Sequence, residues 1–269
     1  MLTALALFTV AQIVVRDPAL VPESTWKREA DGWTYLRLSG TPDDVGYQYG
    51  RLMAAEIRDA NTALRASLAN EDGLTWTEVR RLSTELFAKN LDPEAKAELN
   101  GMARGLKEAG VALDFNDLLA HNAYIDVAWY YVPWRRAQDS GSKSPESCSA
   151  FVATGSATRD GKPVMGHSLW WGYVTGQRSN LILDVTPAKG HRFVMDTFPG
   201  WIQSGSDFAI NSAGILLCET TIGRFRGYKV GGTPSFVRMR KAIQYGDSLE
   251  ETVRRLREGN NGGYANTWL

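Results

Sequence analysis

Apolar residues recur at helical spacing through most of the first half of the chain. Val45, Tyr49, Leu52 and Met53 form one such stripe. Thr41 stands ahead of it as a cap, Pro42 suits a first turn, and Asp43 and Asp44 favour the positive end of the helix dipole. Gly46 and Gly50 share a face of this helix, which predicts that another backbone packs close. Thr75 and Glu78 make a capping-box pattern before Val79, Leu82 and Leu86. Asp92-Pro93 opens another helix, with Ala95, Leu99, Met102 and Leu106 on one face and Gly110 as its stop. Asp114 caps a further helix running through Leu118 towards Tyr124. Residues 32–38, in contrast, alternate as a strand does.

Residues 138–147 hold almost nothing apolar and read as an exposed linker. Beyond them the pattern turns to strands. Ala150, Val152 and Val164 mark apolar positions on either side of Arg159-Asp160-Gly161-Lys162, a hairpin turn. Residues 181–185 and 193–195 are short strand-like runs, and residues 208–222 read as two strands around the turn Asn211-Ser212-Ala213-Gly214. Helices return over 236–245 and 248–259, the second with a Ser248/Glu251 capping box and Leu249, Val253 and Leu256 as its expected buried face. The sequence stops within a strand-like run at Leu269, so a C-terminally truncated chain is expected. The expected organisation is an apolar, signal-like segment over 1–20, a helical region over 21–137, a linker over 138–147, and a sheet with helices over 148–269. Helices, then antiparallel strands, then helices predict an α+β fold.

Charge narrows the function classes. Thirty basic and thirty acidic residues cancel, leaving no basic footprint for nucleic acid. Nine Trp and ten Tyr are many, and they crowd at 129–134 and 170–173. Such density suits a large core or a pocket for an apolar acyl group. Residues 1–15 are apolar and uncharged, too short to span a membrane but suited to a signal peptide. The expected location is therefore secreted or periplasmic, with peripheral lipid contact open. Three scattered histidines and no CxxC give no metal motif, and no cofactor is expected.

The chain has two cysteines, Cys148 and Cys218. Cys148 lies where the linker meets the first strand of the second half, so cutting after Ser147 would make it a new N-terminus. A cysteine nucleophile needs a base and donors for an oxyanion. An N-terminal cysteine carries its own base, because an α-amino group titrates at about 7.7–8.0. Asn266 and the Thr220-Thr221 pair offer side-chain donors, His167 and Ser168 offer contacts to the new amine, and Trp170 and Trp171 offer apolar surface to a substrate.

The run from Cys148 to His167 resembles the nucleophile region of the phospholipase B-like proteins. It also resembles their bacterial relatives, the autoproteolytic acyltransferase/hydrolases typified by penicillin acyltransferases. Phe198-Pro199-Gly200-Trp201, Asn211 to Gly214 followed by Glu219-Thr220-Thr221, and Asn266-Thr267-Trp268 follow in the family's order. Upstream, Gly40-Thr41-Pro42 and Gly46 to Gly50 resemble its opening helix. Ser168 stands where the family often has Asn. Trp170 stands near an Asp of the penicillin acyltransferases, which points to the phospholipase B-like side. The resemblance implies an N-terminal-nucleophile hydrolase fold, two sheets packed between helix layers. It also implies self-cleavage before Cys148 and attack by that cysteine on an amide or ester carbonyl. Asn266 matches the oxyanion-hole asparagine, and either Thr220 or Thr221 falls near the other oxyanion position. The rival expectations are an acyltransferase using the same acyl-enzyme and a non-catalytic binding protein on the same fold.

Overall fold

The computed structural model describes residues 14–15, 25–136, 148–222, 225 and 227–269. The linker, with Ser147, and most of the apolar N-terminal segment lie outside the described residues. In chain order the elements begin with β1 (Val14–Val15), β2 (Trp26–Ala30) and β3 (Trp33–Gly40). Helices α1 (Pro42–Leu52), α2 (Ala54–Ser67), α3 (Trp76–Ser83), α4 (Pro93–Glu108), α5 (Phe115–Tyr124) and α6 (Val132–Arg136) follow. A π-helical stretch, Ile125–Tyr131, joins the last two. Then come β4 (Cys148–Gly155), β5 (Gly161–Leu169), the short α7 (Tyr173–Gly176), β6 (Leu181–Pro187), β7 (Phe193–Thr197), β8 (Phe208–Asn211) and β9 (Leu216–Thr221). Helices α8 (Ser235–Tyr245) and α9 (Leu249–Arg257) and strand β10 (Asn266–Trp268) close the described chain.

The fold is α+β. Eight strands form one mixed sheet in the order β1-β2-β3-β6-β7-β8-β9-β10, and β4 and β5 form a separate hairpin. All neighbours in the large sheet are antiparallel except β3 and β6, which run parallel with Thr34 opposite Leu181. That pairing merges the two halves of the chain into one sheet. Leu36 and Leu38 of β3 and Leu183 and Val185 of β6 are fully buried in a core shared with the helices.

The helices begin where side chains can satisfy their free N–H groups. Thr41 accepts from the Asp44 amide, and the Asp44 carboxylate accepts in return from Thr41. Asp114 and Asp117 repeat this box at α5. Ser248 caps α9 through the Glu251 amide, while the Glu251 carboxylate pairs with Arg254 and Arg255. The buried strip of α9 is rotated from the expected one. Thr252 and Leu256 are buried, whereas Leu249 is 72% and Val253 48% exposed. The Thr252 hydroxyl donates to the Ser248 carbonyl, so a polar residue with its own partner is buried beside the expected apolar position, Val253.

Helices α1 and α4 meet backbone to backbone. A Cβ built on Gly46 would lie 1.9 Å from the Glu98 carbonyl oxygen, and one on Gly50 2.2 Å from that of Met102. Gly101 and Gly105 meet Asp43 and Tyr47 of α1 in the same way, at 2.2 and 2.3 Å. These two glycine pairs set the distance at which Tyr49 and Met102 enter the core.

A buried network then fastens the helices to the 198–207 loop. The Tyr49 hydroxyl donates to the Phe198 carbonyl at 3.2 Å and accepts from the Gly200 amide at 3.0 Å. Asn122 brackets the same turn, donating to the Gly200 carbonyl and accepting from the Ile202 amide, each at 2.9 Å. Arg240 of α8 donates to the Ile202 carbonyl at 2.6 Å and pairs with buried Glu98 at 2.9 Å. Such a pair is costly to break once buried.

Gly46→Ala is expected to destabilise the protein by about 1–3 kcal/mol or more, since the new methyl meets rigid backbone. Thermal unfolding measures this. An unchanged midpoint would show that α1 and α4 do not hold this separation.

Candidate active site

Cys148 is the first residue of β4, and pairing fixes which way it points. Residues directly opposite in an antiparallel pair share a face. Cys148 lies opposite Leu169 and Ala150 opposite His167, so these four share one face of the hairpin. Ser149, Phe151, Gly166 and Ser168 occupy the other. Ser168 is exposed there, on the face opposite Cys148. On that outer face the Phe151 ring lies over Gly166, where a Cβ would fall 2.2 Å from it.

The same argument separates the two threonines. Strand β10 sets Asn266 opposite Thr221, Thr267 opposite Thr220 and Trp268 opposite Glu219. Glu219, Thr221 and Asn266 therefore share one face, and Cys218 and Thr220 lie on the other. Thr221 lines a cleft of about 290 Å³ together with Cys148 and Tyr264. Thr220 does not. Both side-chain amide atoms of Asn266 are buried without a hydrogen-bond partner among the described residues. A buried amide left without partners is rare in a folded protein.

One wall of the cleft is aromatic, with Tyr124, Trp129, Trp170 and Trp171. Trp129 and Trp171 lie 5.1 Å apart between ring centres, and Trp171 contacts Phe198 at 5.4 Å. Trp170 is 65% exposed at the rim. Glu71 and Asp72 add acidic groups. Burial, with the Glu71 charge adding to it, pushes the Asp72 carboxyl up to about 6.

Beside the cysteine lies a buried acidic group. The Tyr264 hydroxyl is 2.5 Å from Asp207 Oδ2 and 2.6 Å from Glu219 Oε1. One hydroxyl has one proton, so it donates to one carboxylate and can accept from the other only if that acid is protonated. Burial first, and then the proximity of Glu219, push Asp207 well above the carboxylate range; burial likewise raises Glu219. Asp207 and Tyr264 both sit at positive φ, 61° and 54°, which is costly for tyrosine in particular. Their mutual hydrogen bond holds these two strained turns together.

Both cysteines carry free thiols. Burial pushes the Cys148 thiol up, a backbone hydrogen bond at Trp170 opposes this, and the Glu219 charge raises it further. His167 is pushed down by burial, against a hydrogen bond to the Glu219 backbone, so its ring is neutral near neutral pH. Its Nε2 is buried without a partner among the described residues. Cys148, His167 and Asp207 each bring one donor atom to within 4.8 Å of the other two. Histidines that are scattered in sequence thus yield one that meets the cysteine in space.

The fold brings Cys148, His167 and Thr221 together with Trp170 and Trp171 beside them, and sets Asn266 on the Thr221 face. It sends Ser168 and Thr220 elsewhere. Asp207, Glu219 and Tyr264 are the residues that motif reading missed. Glu219 had a visible signal, an acid following the apolar run Leu216-Leu217-Cys218. Asp207 and Tyr264 had none beyond their places beside the Phe-Pro-Gly and Asn266 segments.

No known family profile matches the chain. An uncharacterised protein of Archaeoglobus fulgidus is 28% identical over 252 residues, an alignment covering 86% of this chain. The chain spans 40% of that relative's length.

A carboxyl raised by burial favours the folded state at low pH, and that contribution is lost as pH rises through its folded pKa. Glu219→Gln is therefore expected to shrink the loss of stability between about pH 5 and pH 8. Urea midpoints of both proteins at the two pH values measure this. An equal loss in both would show that the Asp207–Glu219 pair does not share a proton.

Proposed function

We propose that the protein is a cysteine N-terminal-nucleophile hydrolase of the phospholipase B-like kind, with the layered sandwich of that class. It acts on an amide or ester through an acyl-enzyme. The observation that carries this reading is the position of Cys148. It opens β4 directly after the 138–147 segment, and its thiol enters a cleft beside a face that holds the buried, partnerless amide of Asn266.

In maturation, Cys148 Sγ attacks the Ser147 carbonyl carbon, the peptide C–N bond breaks, and the acyl chain moves onto sulfur. That break frees the Cys148 amine, which takes up the thiol proton, and water then hydrolyses the thioester, giving the Ser147 carboxylate and restoring the thiol. In turnover, that amine takes the thiol proton and the thiolate attacks the substrate carbonyl. Asn266 Nδ2–H and Thr221 face the developing oxyanion. The amine returns the proton to the leaving group, and water cleaves the acyl-enzyme. A thiol raised by burial and a nearby acid needs such an adjacent base. The Trp129–Trp171 wall suits an apolar acyl chain, and the substrate is placed in that class. Transfer of the acyl group to an amine uses the same intermediate. A secreted or periplasmic location belongs to the same proposal and rests on residues 1–15. Among the described residues, no helix is long and apolar enough to cross a membrane.

A second reading has its own observation. The donor atoms of His167 and Cys148 lie within 4.8 Å, and the ring is neutral, so His167 is placed to serve as the base without any chain cleavage.

Three variants of the full-length gene product test these readings. Cys148→Ala is expected to remain uncut and to lose all hydrolysis, whereas Cys148→Ser cuts slowly, because a hydroxyl is harder to deprotonate than a thiol. Denaturing gels read the cut. Efficient cleavage after Ser147 in the alanine variant would overturn self-processing. An uncut wild-type chain with full turnover would favour the His167 base. Asn266→Ala is expected to lower turnover about 10²–10³-fold with little change in unfolding temperature. Unchanged turnover would remove Asn266 from the site.

A further inference from the structure

We propose that Cys148, His167 and Asp207 also form a binding site for a soft divalent cation of the zinc type, and that the metal, once bound, occupies the thiolate. The thiol, imidazole and carboxyl donor atoms all lie within 4.8 Å of one another. In a tetrahedral zinc centre such atoms sit about 3.3–3.8 Å apart, given zinc bonds of about 2.0–2.3 Å. Rotations of the Cys148 and His167 side chains, both only half-buried, have to close that gap.

Three further observations point to a cation. The His167 ring is anchored at the Glu219 backbone and leaves Nε2 buried with no partner among the described residues. Metal-ligating histidines are oriented in this way, with one nitrogen tied to a backbone carbonyl and the other free. Asp207 is fully enclosed and fixed by Tyr264, so its carboxyl is already positioned. Finally, a second buried carboxyl, Glu219, shares the Tyr264 hydroxyl with Asp207, so two acids lie at this point. A bound cation would relieve both. One sulfur, one nitrogen and one oxygen donor select zinc-like ions over magnesium or calcium, which take oxygen ligands.

Binding sends the thiol proton, and the proton of the Asp207 carboxyl where it carries one, to solvent and leaves a fourth position for water. In the matured chain, the Cys148 amine takes that position, closing a five-membered N,S-chelate. This last clause rests on the processing proposed above. The consequence is reversible silencing, because a metal-bound thiolate is not available to attack a carbonyl.

Cobalt(II) tests the site, because a cobalt–thiolate bond gives a charge-transfer absorption visible without any enzymatic assay. The full-length gene product, titrated with Co²⁺, is expected to show this band at one ion per chain and to lose it on adding Zn²⁺. The band should vanish in Cys148→Ala and persist in Cys218→Ala. His167→Gln and Asp207→Asn should each weaken cobalt binding at least about 10-fold. Far-UV circular dichroism checks that each variant is folded, and His167→Gln carries the test if Asp207→Asn is not. No band, a band surviving Cys148→Ala, or affinity indifferent to His167→Gln would overturn the proposal. Chain cleavage is read separately, on gels. A cut, active protein without the band refutes the metal site alone, and an uncut, inactive protein with the band refutes the hydrolase alone.

Discussion

The hydroxyl of Tyr264 lies between two buried carboxyl groups, and the geometry around Cys148 depends on that bridge. Asp207 ends the 198–207 loop, Glu219 belongs to β9, and Tyr264 leads into β10. One hydroxyl thus ties together three segments that approach the cysteine from different parts of the chain. Asp207 and Tyr264 hold unfavourable backbone conformations at this point, and two acids are kept close. The core supplies the stability that maintains this strain. Tyr49, Asn122 and Arg240 fasten the loop that carries Asp207, and the glycine contact of α1 with α4 sets where Tyr49 stands.

Local chemistry made much of this architecture legible. Caps at Thr41, Asp92, Asp114 and Ser248 start the helices where their side chains can meet free N–H groups. Gly46 and Gly50 announced a close neighbour, and the hairpin and the paired strands around Asn211–Gly214 follow from turn chemistry. What escaped was non-local. The parallel pairing of β3 with β6 joins residues nearly 150 positions apart, and nothing within either strand specifies its partner. On α9, periodicity favoured Leu249, Val253 and Leu256; Leu256 is buried as expected, but packing chose Thr252 in place of the other two.

The candidate site divides the same way. Cys148 was legible from its position between a polar stretch and a strand, and Asn266 and the threonine pair from their order. Strand register was needed to separate Thr221 from Thr220 and to turn Ser168 away. The Asp207–Tyr264–Glu219 group exists only in three dimensions, as does the approach of His167 to the thiol. Motif reading therefore singles out Cys148 but not the buried groups around it. Here burial, with the Glu219 charge adding to it, raises the thiol, which is the physical reason an adjacent amine matters to the chemistry proposed.

The central claim is that Cys148 becomes a free N-terminus and uses its own amine. Intact-mass measurement with N-terminal sequencing of the purified wild-type full-length gene product tests it most directly. The account predicts two chains that stay associated, the second beginning Cys-Ser-Ala-Phe-Val. A single chain that remains uncut after prolonged incubation would contradict it.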